Sequence, residues 1–325
     1  MLTHDHRSLA VRMLSHLAEP ITLVVRIPQE GHEVGERLWR LAQELEGCSS
    51  RILVDREVCD GERPHMEVLS GNRRGVYYSA LPLGTEWRSF LSTLQCASVG
   101  EPPSEAVLPL NRPMRLEVYT APLCPHCART VEMVHRVALA HTHVQGWTVD
   151  ATLFPAEAEE LGIRSTPTLV VDGVPRWVGR LSKGDLKEIL GEAAAGEGWE
   201  ATLRSLLAAG ALHEALKVVE RHPEALTALP SMLGAREFSL RLGALRLLEE
   251  VTHPPGSVLS EVIPSICALL KDPSPSIRGD VAYALGLLRD PAAREPLHQA
   301  LRDPHPDVQE AVRDALEALG HPPDA

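Results

Sequence analysis

A chain of 325 residues with 44% apolar residues, 23% charged residues and a formal net charge of −12 has room for two or three packed domains and disfavours a nucleic-acid partner, whose phosphates call for basic surface. No run approaches the ~18 uninterrupted apolar residues of a membrane helix, so no membrane association is expected. The opening "MLTHDHRSLAVRMLSHLAEP" has no basic start and no long apolar core, which is unlike an export signal. The expected address is the cytoplasm, where the six cysteines are not read as a disulfide framework.

In chain order, the first segment opens with the amphipathic run "RSLAVRMLSHLAE", stopped by Pro20. A strand pattern "ITLVVRI", a helix pattern "GERLWRLAQELE" and a short strand "SRILVD" follow. After a loop holding Pro64, "MEVLSG" and "GVYYSAL" read as two strands around the turn "GNRRG", and "GTEWRSFLSTLQCAS" reads as a helix. The second segment repeats that order. "RLEVYTA" is a strand, "CPHCARTVEMVHRVALAH" a helix beginning at the cysteines, "GWTVDAT" a strand and "PAEAEELGI" a short helix. "TPTLVVDG" and "RWVGRL" form a hairpin, and "SKGDLKEILGEA" is a closing helix. The proline-rich "VGEPPSEAVLPLNRPM" links the two segments.

From about residue 197 strand patterns give way to Leu/Ala helical periodicity and an internal repeat. "KDPSPSIRGDVAYALGLL" matches "RDPHPDVQEAVRDALEAL" at a spacing of 31, and a weaker copy, "LRLGALRLL", starts at Leu240. Asp-Pro stops one helix, and Leu240, Leu248, Val281, Leu285, Val312 and Leu316 form the apolar stripe of the next. Such a pair cannot bury its stripe alone and must stack on its neighbours. This part carries 12 Lys/Arg against 19 Asp/Glu, which again disfavours DNA.

The chemistry is concentrated in Cys124-Pro125-His126-Cys127. A structural zinc site usually takes four ligands. Cys48, Cys59, Cys96 and Cys267 are isolated, His141 and His143 read as surface residues, and no metal is expected. The redox reading needs a strand ending just before the first cysteine and a helix starting there. Unpaired N–H groups and the helix dipole would then favour the Cys124 thiolate, and His126, when protonated, would add positive charge. Cys127, one turn on, is placed to attack the resulting mixed disulfide. Thr166-Pro167 precedes a strand, and a cis proline there would leave the preceding backbone open to an extended substrate.

These motifs resemble a thioredoxin/glutaredoxin-fold domain over residues 112–192. The resemblance makes Cys124 the nucleophile, Cys127 the resolving cysteine and Pro167 cis. Pro125-His126 is similar to the dipeptide of periplasmic disulfide oxidases. The first segment fits the same fold without its cysteines, with Pro64 at the matching proline position. The tandem resembles protein disulfide oxidoreductases and the N-terminal domain of the alkyl hydroperoxide reductase flavoprotein subunit, the latter through "YYSALPLGTEWRSFL" and Glu117. The repeats resemble short bacterial HEAT repeats. The implied architecture is a cysteine-less α/β unit over 1–108, an active one over 109–194 sharing one continuous sheet, and an all-α HEAT-like array over 195–325.

Two carboxylates are candidates for supporting roles. A partly buried Glu117 with a raised pKa would take the Cys127 proton, unless it faces solvent or pairs with an arginine. Glu86 would approach the cysteines from the first unit, or simply stabilise the start of its own helix. Thr166 is expected to offer backbone hydrogen bonds to substrate. Cys48, Cys59 and Cys96 are expected to be buried thiols, and Trp147 and Trp177 packing residues.

The expected function is thiol–disulfide oxidoreductase, with the HEAT-like array selecting the partner. The substrate would be a protein disulfide, of the peroxiredoxin type by resemblance. No GxGxxG follows a strand, so neither bound flavin nor nicotinamide is expected, and electrons would come from a separate flavoprotein reductase, glutathione or thioredoxin. The rival reading is a redox-sensing or redox-inactive scaffold that binds proteins through the array.

Overall fold

In a computed structural model the chain is described over residues 1–29, 31–59, 63–99, 110, 112–195, 199–251 and 256–320. Most of the interdomain linker and the 321–325 end of the repeat lie outside the described residues. The chain divides into two compact units, Met1–Ala195 and Gly196–Ala325.

The first unit runs α1 (His4–Leu14), β1 (Ile21–Ile27), α2 (Glu33–Glu46), β2 (Ile52–Val58), β3 (His65–Ser70), β4 (Arg73–Ser79) and α3 (Trp87–Ser98). It continues with β5 (Met114–Thr120), α4 (Cys127–Ala140), β6 (Val144–Asp150), α5 (Pro155–Glu160), β7 (Thr168–Val171), β8 (Val174–Val178) and α6 (Lys183–Ala195). The strands make one sheet in the order β2-β1-β3-β4-β6-β5-β7-β8. Each half has the same plan: a parallel pair (β2 with β1, β6 with β5), then two antiparallel neighbours. The halves join where β4 pairs parallel with β6, Val76 opposite Gly146 and Ser79 opposite Val149. The continuous sheet expected from the resemblance is therefore present.

Burial explains the strand patterns. β1, β3 and β5 are interior strands and read as nearly unbroken apolar or buried runs, whereas the edge strand β2 alternates between buried and exposed only weakly. α2 turns Leu38, Leu41, Ala42 and Leu45 toward the sheet at helical spacing.

The join depends on two glycines. Gly75 in β4 has φ +109°, and a Cβ there would come 2.7 Å from the Val144 carbonyl oxygen. A Cβ on Gly146 would meet the Ala138 methyl at 3.0 Å and the His135 ring at 3.1 Å. The bare backbone lets α4 lie close on the seam. There the fully buried His135 sits between Tyr78 Oη and Thr148 Oγ1, each 3.1 Å from a ring nitrogen. Burial pushes its pKa down to about 3, so the imidazole is neutral. Ser89 Oγ donates to the Ala128 carbonyl at 2.8 Å, tying α3 to α4.

On the opposite face of the seam, the Tyr77 and Trp147 rings stack at 4.3 Å, worth about 1 kcal/mol beyond the area they bury. Trp147 thus packs, as expected, and Trp177 donates its indole N–H to the Arg180 carbonyl. One expectation fails: among the described residues the cis peptide bond is Thr166–Pro167, and Arg63–Pro64 is trans. Pro64 occupies the corresponding position before β3 without the same isomer.

The second unit is helical: α7 (Glu200–Ala208), α8 (Leu212–Arg221), α9 (Leu229–Leu233), α10 (Phe238–Glu250), α11 (Gly256–Ala268), α12 (Pro275–Leu288), α13 (Arg294–Ala300) and α14 (Pro306–Ala318). The six residues assigned to its core by spacing are all buried. Each Asp-Pro corner is closed by its aspartate. Asp272 accepts from the Ser274 N–H at 2.8 Å, Asp290 from Ala292 at 2.8 Å and Asp303 from His305 at 2.9 Å. Arg241 bonds Asp280, and Arg278 bonds Asp303 with two nitrogens, so successive repeats are linked by ion pairs.

Candidate active site

β5 ends at Thr120, and the chain turns through Ala121–Leu123 into the cysteine pair. Cys124 and Cys127 form a disulfide, with their Cα atoms 5.5 Å apart. Regular helix begins at Cys127, not at Cys124 as the sequence reading had it. The Cys124 N–H instead donates to the Ala121 carbonyl at 3.3 Å, closing a turn ahead of the helix. The first cysteine is thereby lifted to the surface. Cys124 is 8% exposed and Cys127 0% exposed. Pro125 and His126 are exposed between them, and His126 is the N-cap residue of α4, without a side-chain cap bond.

Thr166-Pro167 lies at the same end of the sheet. Thr168 pairs with Tyr119, so the cis bond sits just beyond the end of β5 from which the cysteine turn departs. Pro167 is buried, Thr166 is partly exposed, and the Pro167 carbonyl accepts from the Gly179 N–H at 2.8 Å.

The two candidate carboxylates go to different places. Glu86, at the start of α3 in the cysteine-less half, is 7% exposed and lines a cleft of about 320 Å³ together with Thr120, Leu123 and Asp150. Desolvation, with a smaller contribution from the Asp150 charge, raises its pKa to about 7 against an opposing hydrogen bond from Thr120. Its Oε1 has no hydrogen-bond partner. A buried carboxyl that titrates near neutrality, with an open oxygen, can take up or release a proton.

Glu117 stands three residues before Thr120 and so projects from the other face of β5. There it is paired with Arg63 and, at 3.2 Å, with Arg115, whose guanidinium lies 4.3 Å from the Trp147 ring centre. Arg63 also pairs with Glu157. The arginine-paired alternative weighed for Glu117 is the arrangement found.

Cys48, Cys59, Cys96 and Cys267 are partly exposed thiols, less buried than expected. Burial still holds Cys48, Cys96 and Cys267 above the ordinary cysteine pKa, which lowers their thiolate fraction. Among the described residues no cluster of three or more His, Cys, Asp or Glu side chains has a metal-binding arrangement, and no helix is long and apolar enough to cross a membrane. Sequence reading passed over Asp150, Thr120 and His135. Only the parallel join of β4 to β6 brings them against Glu86 and Tyr78.

The thioredoxin-domain family model matches residues 114–191, and a HEAT-repeat model matches residues 263–325. An NADH dehydrogenase of Bacillus subtilis (strain 168) is 23% identical over 180 residues, covering 54% of this chain and 35% of that protein. The chain thus spans about a third of the length of that curated relative. The N-terminal domain of alkylhydroperoxide reductase AhpF from Enterococcus faecalis superposes with a TM-score of 0.53 at 20% identity, over 58% of this chain and all of that domain. A protein disulfide oxidoreductase from Aeropyrum pernix K1 gives 0.53 at 22% identity, over 61% and 95%. Both share the fold of the first unit. A thioredoxin of Methanocaldococcus jannaschii is 31% identical over 78 residues, 24% of this chain and 92% of that protein. By its cysteine-bearing half the chain belongs to the thioredoxin family, with HEAT repeats at its C-terminal end.

Proposed function

We propose that the chain is a thiol–disulfide oxidoreductase that exchanges electrons with protein disulfides through Cys124 and Cys127. One observation carries this reading: within the disulfide, Cys124 reaches the surface and Cys127 is sealed beneath it. That asymmetry assigns the roles. In the reducing direction the Cys124 thiolate attacks one sulfur of a substrate disulfide, and the other sulfur leaves as a thiolate. Cys127 then loses its proton to the Glu86 carboxylate and attacks the Cys124 sulfur. The mixed disulfide breaks, the substrate leaves with two electrons, and the Cys124–Cys127 disulfide remains. The oxidising direction is the reverse.

Thr166 and Pro167 are assigned to positioning the substrate strand, and exposed Pro125 and His126 to tuning the pair. Glu117 is assigned, with Arg63, to holding the two halves together. The HEAT unit recruits the partner. Exposed Phe238, Leu242 and Tyr283 on α10 and α12 support an apolar contact surface there. The proposal places the protein in the cytoplasm, recharged by a flavoprotein reductase or a small or protein dithiol. Its relatives' names support a peroxiredoxin-type substrate.

The test is chemical trapping. Reduced Cys127→Ser protein incubated with a protein disulfide should accumulate a mixed disulfide through Cys124, and Cys124→Ser should form none. Equal labelling of both variants would refute the assignment.

A further inference from the structure

The cleft that Glu86 lines has walls from both halves of the sheet. Leu123, the residue before Cys124, stands at its rim, 84% exposed with φ +66°. Leu153 comes from the loop after β6, and Leu81 and Leu83 come from the cysteine-less half between β4 and α3. Leu81, Leu83 and Leu153 are each only partly buried. The floor carries the Glu86 and Asp150 carboxyls, and Arg37 of α2 supplies a cation. At about 320 Å³ the space is at the lower end of small-ligand pockets, enough for one or two amino-acid side chains.

We infer that this cleft is a specificity subsite that takes the apolar side chain flanking the cysteine of a polypeptide disulfide. The inference rests on the disulfide exchange proposed above and gives the cysteine-less half a task, reading the substrate. Partly exposed leucines beside a reactive sulfur gain by being covered when the substrate sulfur reaches Cys124. The charge of the cleft selects against the small alternative. Glutathione would bring its own carboxylates toward Glu86 and Asp150, whereas an apolar peptide segment brings none. No new bond is required of the subsite. It raises the residence of a disulfide already aligned for attack.

The test uses the full chain with three disulfides: hydroxyethyl disulfide, a peptide disulfide with Leu beside its cysteine, and the same peptide with Asp there. The expected result is turnover of all three, with a KM for the Leu peptide about tenfold below that for the Asp peptide. In the double variant Leu83→Ser/Leu153→Ser that ratio should fall to near one, as a change in KM and not in kcat. Equal KM values for the two peptides in the unaltered chain overturn the subsite while hydroxyethyl disulfide turnover still supports exchange. A preference that survives in the double variant also overturns it. Failure to turn over any of the three overturns the exchange reading, and the subsite with it.

Discussion

Tyr78 Oη lies 3.1 Å from His135 Nδ1, so a strand of the cysteine-less half grips the helix that begins at Cys127. The ring's other nitrogen is 3.1 Å from Thr148 Oγ1, which completes a buried chain from β4 through α4 to β6. This contact gives stability at the seam a pH dependence. The folded His135 pKa is lowered to about 3, below its ordinary value. Between that ordinary value and about 3 the unfolded chain binds the extra proton. The stabilisation from neutral His135 is therefore complete above the ordinary histidine pKa and is lost as pH falls through that window, by at most about 1.4 kcal/mol per pH unit. Urea midpoints measured from pH 7.5 to 4 should fall less steeply for His135→Gln than for the unaltered chain. Parallel slopes would show that His135 is not the titrating group.

Glu86 has the opposite sign. Its folded pKa is raised to about 7, so burial of the ionised carboxyl costs stability once pH exceeds that value. Glu86→Gln should raise the unfolding midpoint at pH 8, by a free energy on the order of 2 kcal/mol. The same variant should slow the resolving step by about a hundredfold and remove the rate inflection near pH 7. More stable and slower is a combination that a purely structural role does not produce. An unchanged pH–rate profile would remove Glu86 from the chemistry.

Glu117→Gln should behave differently again. It leaves Arg63 buried with only the partly exposed Glu157, at a cost on the order of 3 kcal/mol. Its exchange rate should keep the inflection near pH 7. Thermal unfolding and a pH–rate profile on one preparation check both halves of that expectation.

At the seam, Gly75→Ala should destabilise the first unit. A methyl group there would meet the Val144 carbonyl oxygen at 2.7 Å, and the φ of +109° is strained for any L side chain. A normal unfolding midpoint would mean that β4 and β6 can slide apart without cost.

Local signals survived the passage from sequence to structure. The cysteine spacing, the proline ahead of a β-run and the Asp-Pro corners each state their own geometry within a few residues. Sequence spacing could not say that regular helix waits until Cys127, because Cys124 is held by a turn to Ala121. Nor could it separate Glu117 from Glu86. Glu117 precedes the cysteines by seven residues, but strand alternation turns it to the far face. Glu86 belongs to the other half and becomes a neighbour of the cysteine turn only because β4 pairs with β6. Proline position was likewise legible where proline isomer was not: Pro64 and Pro167 stand alike before their strands, and only the second is cis.

The most direct test is a redox titration of the Cys124–Cys127 pair against glutathione and dithiothreitol buffers, followed by thiol alkylation and mass measurement. The account predicts one reversible two-electron couple between roughly −270 and −120 mV, absent from Cys124→Ser. A pair that stays locked in one state across the whole series would contradict it.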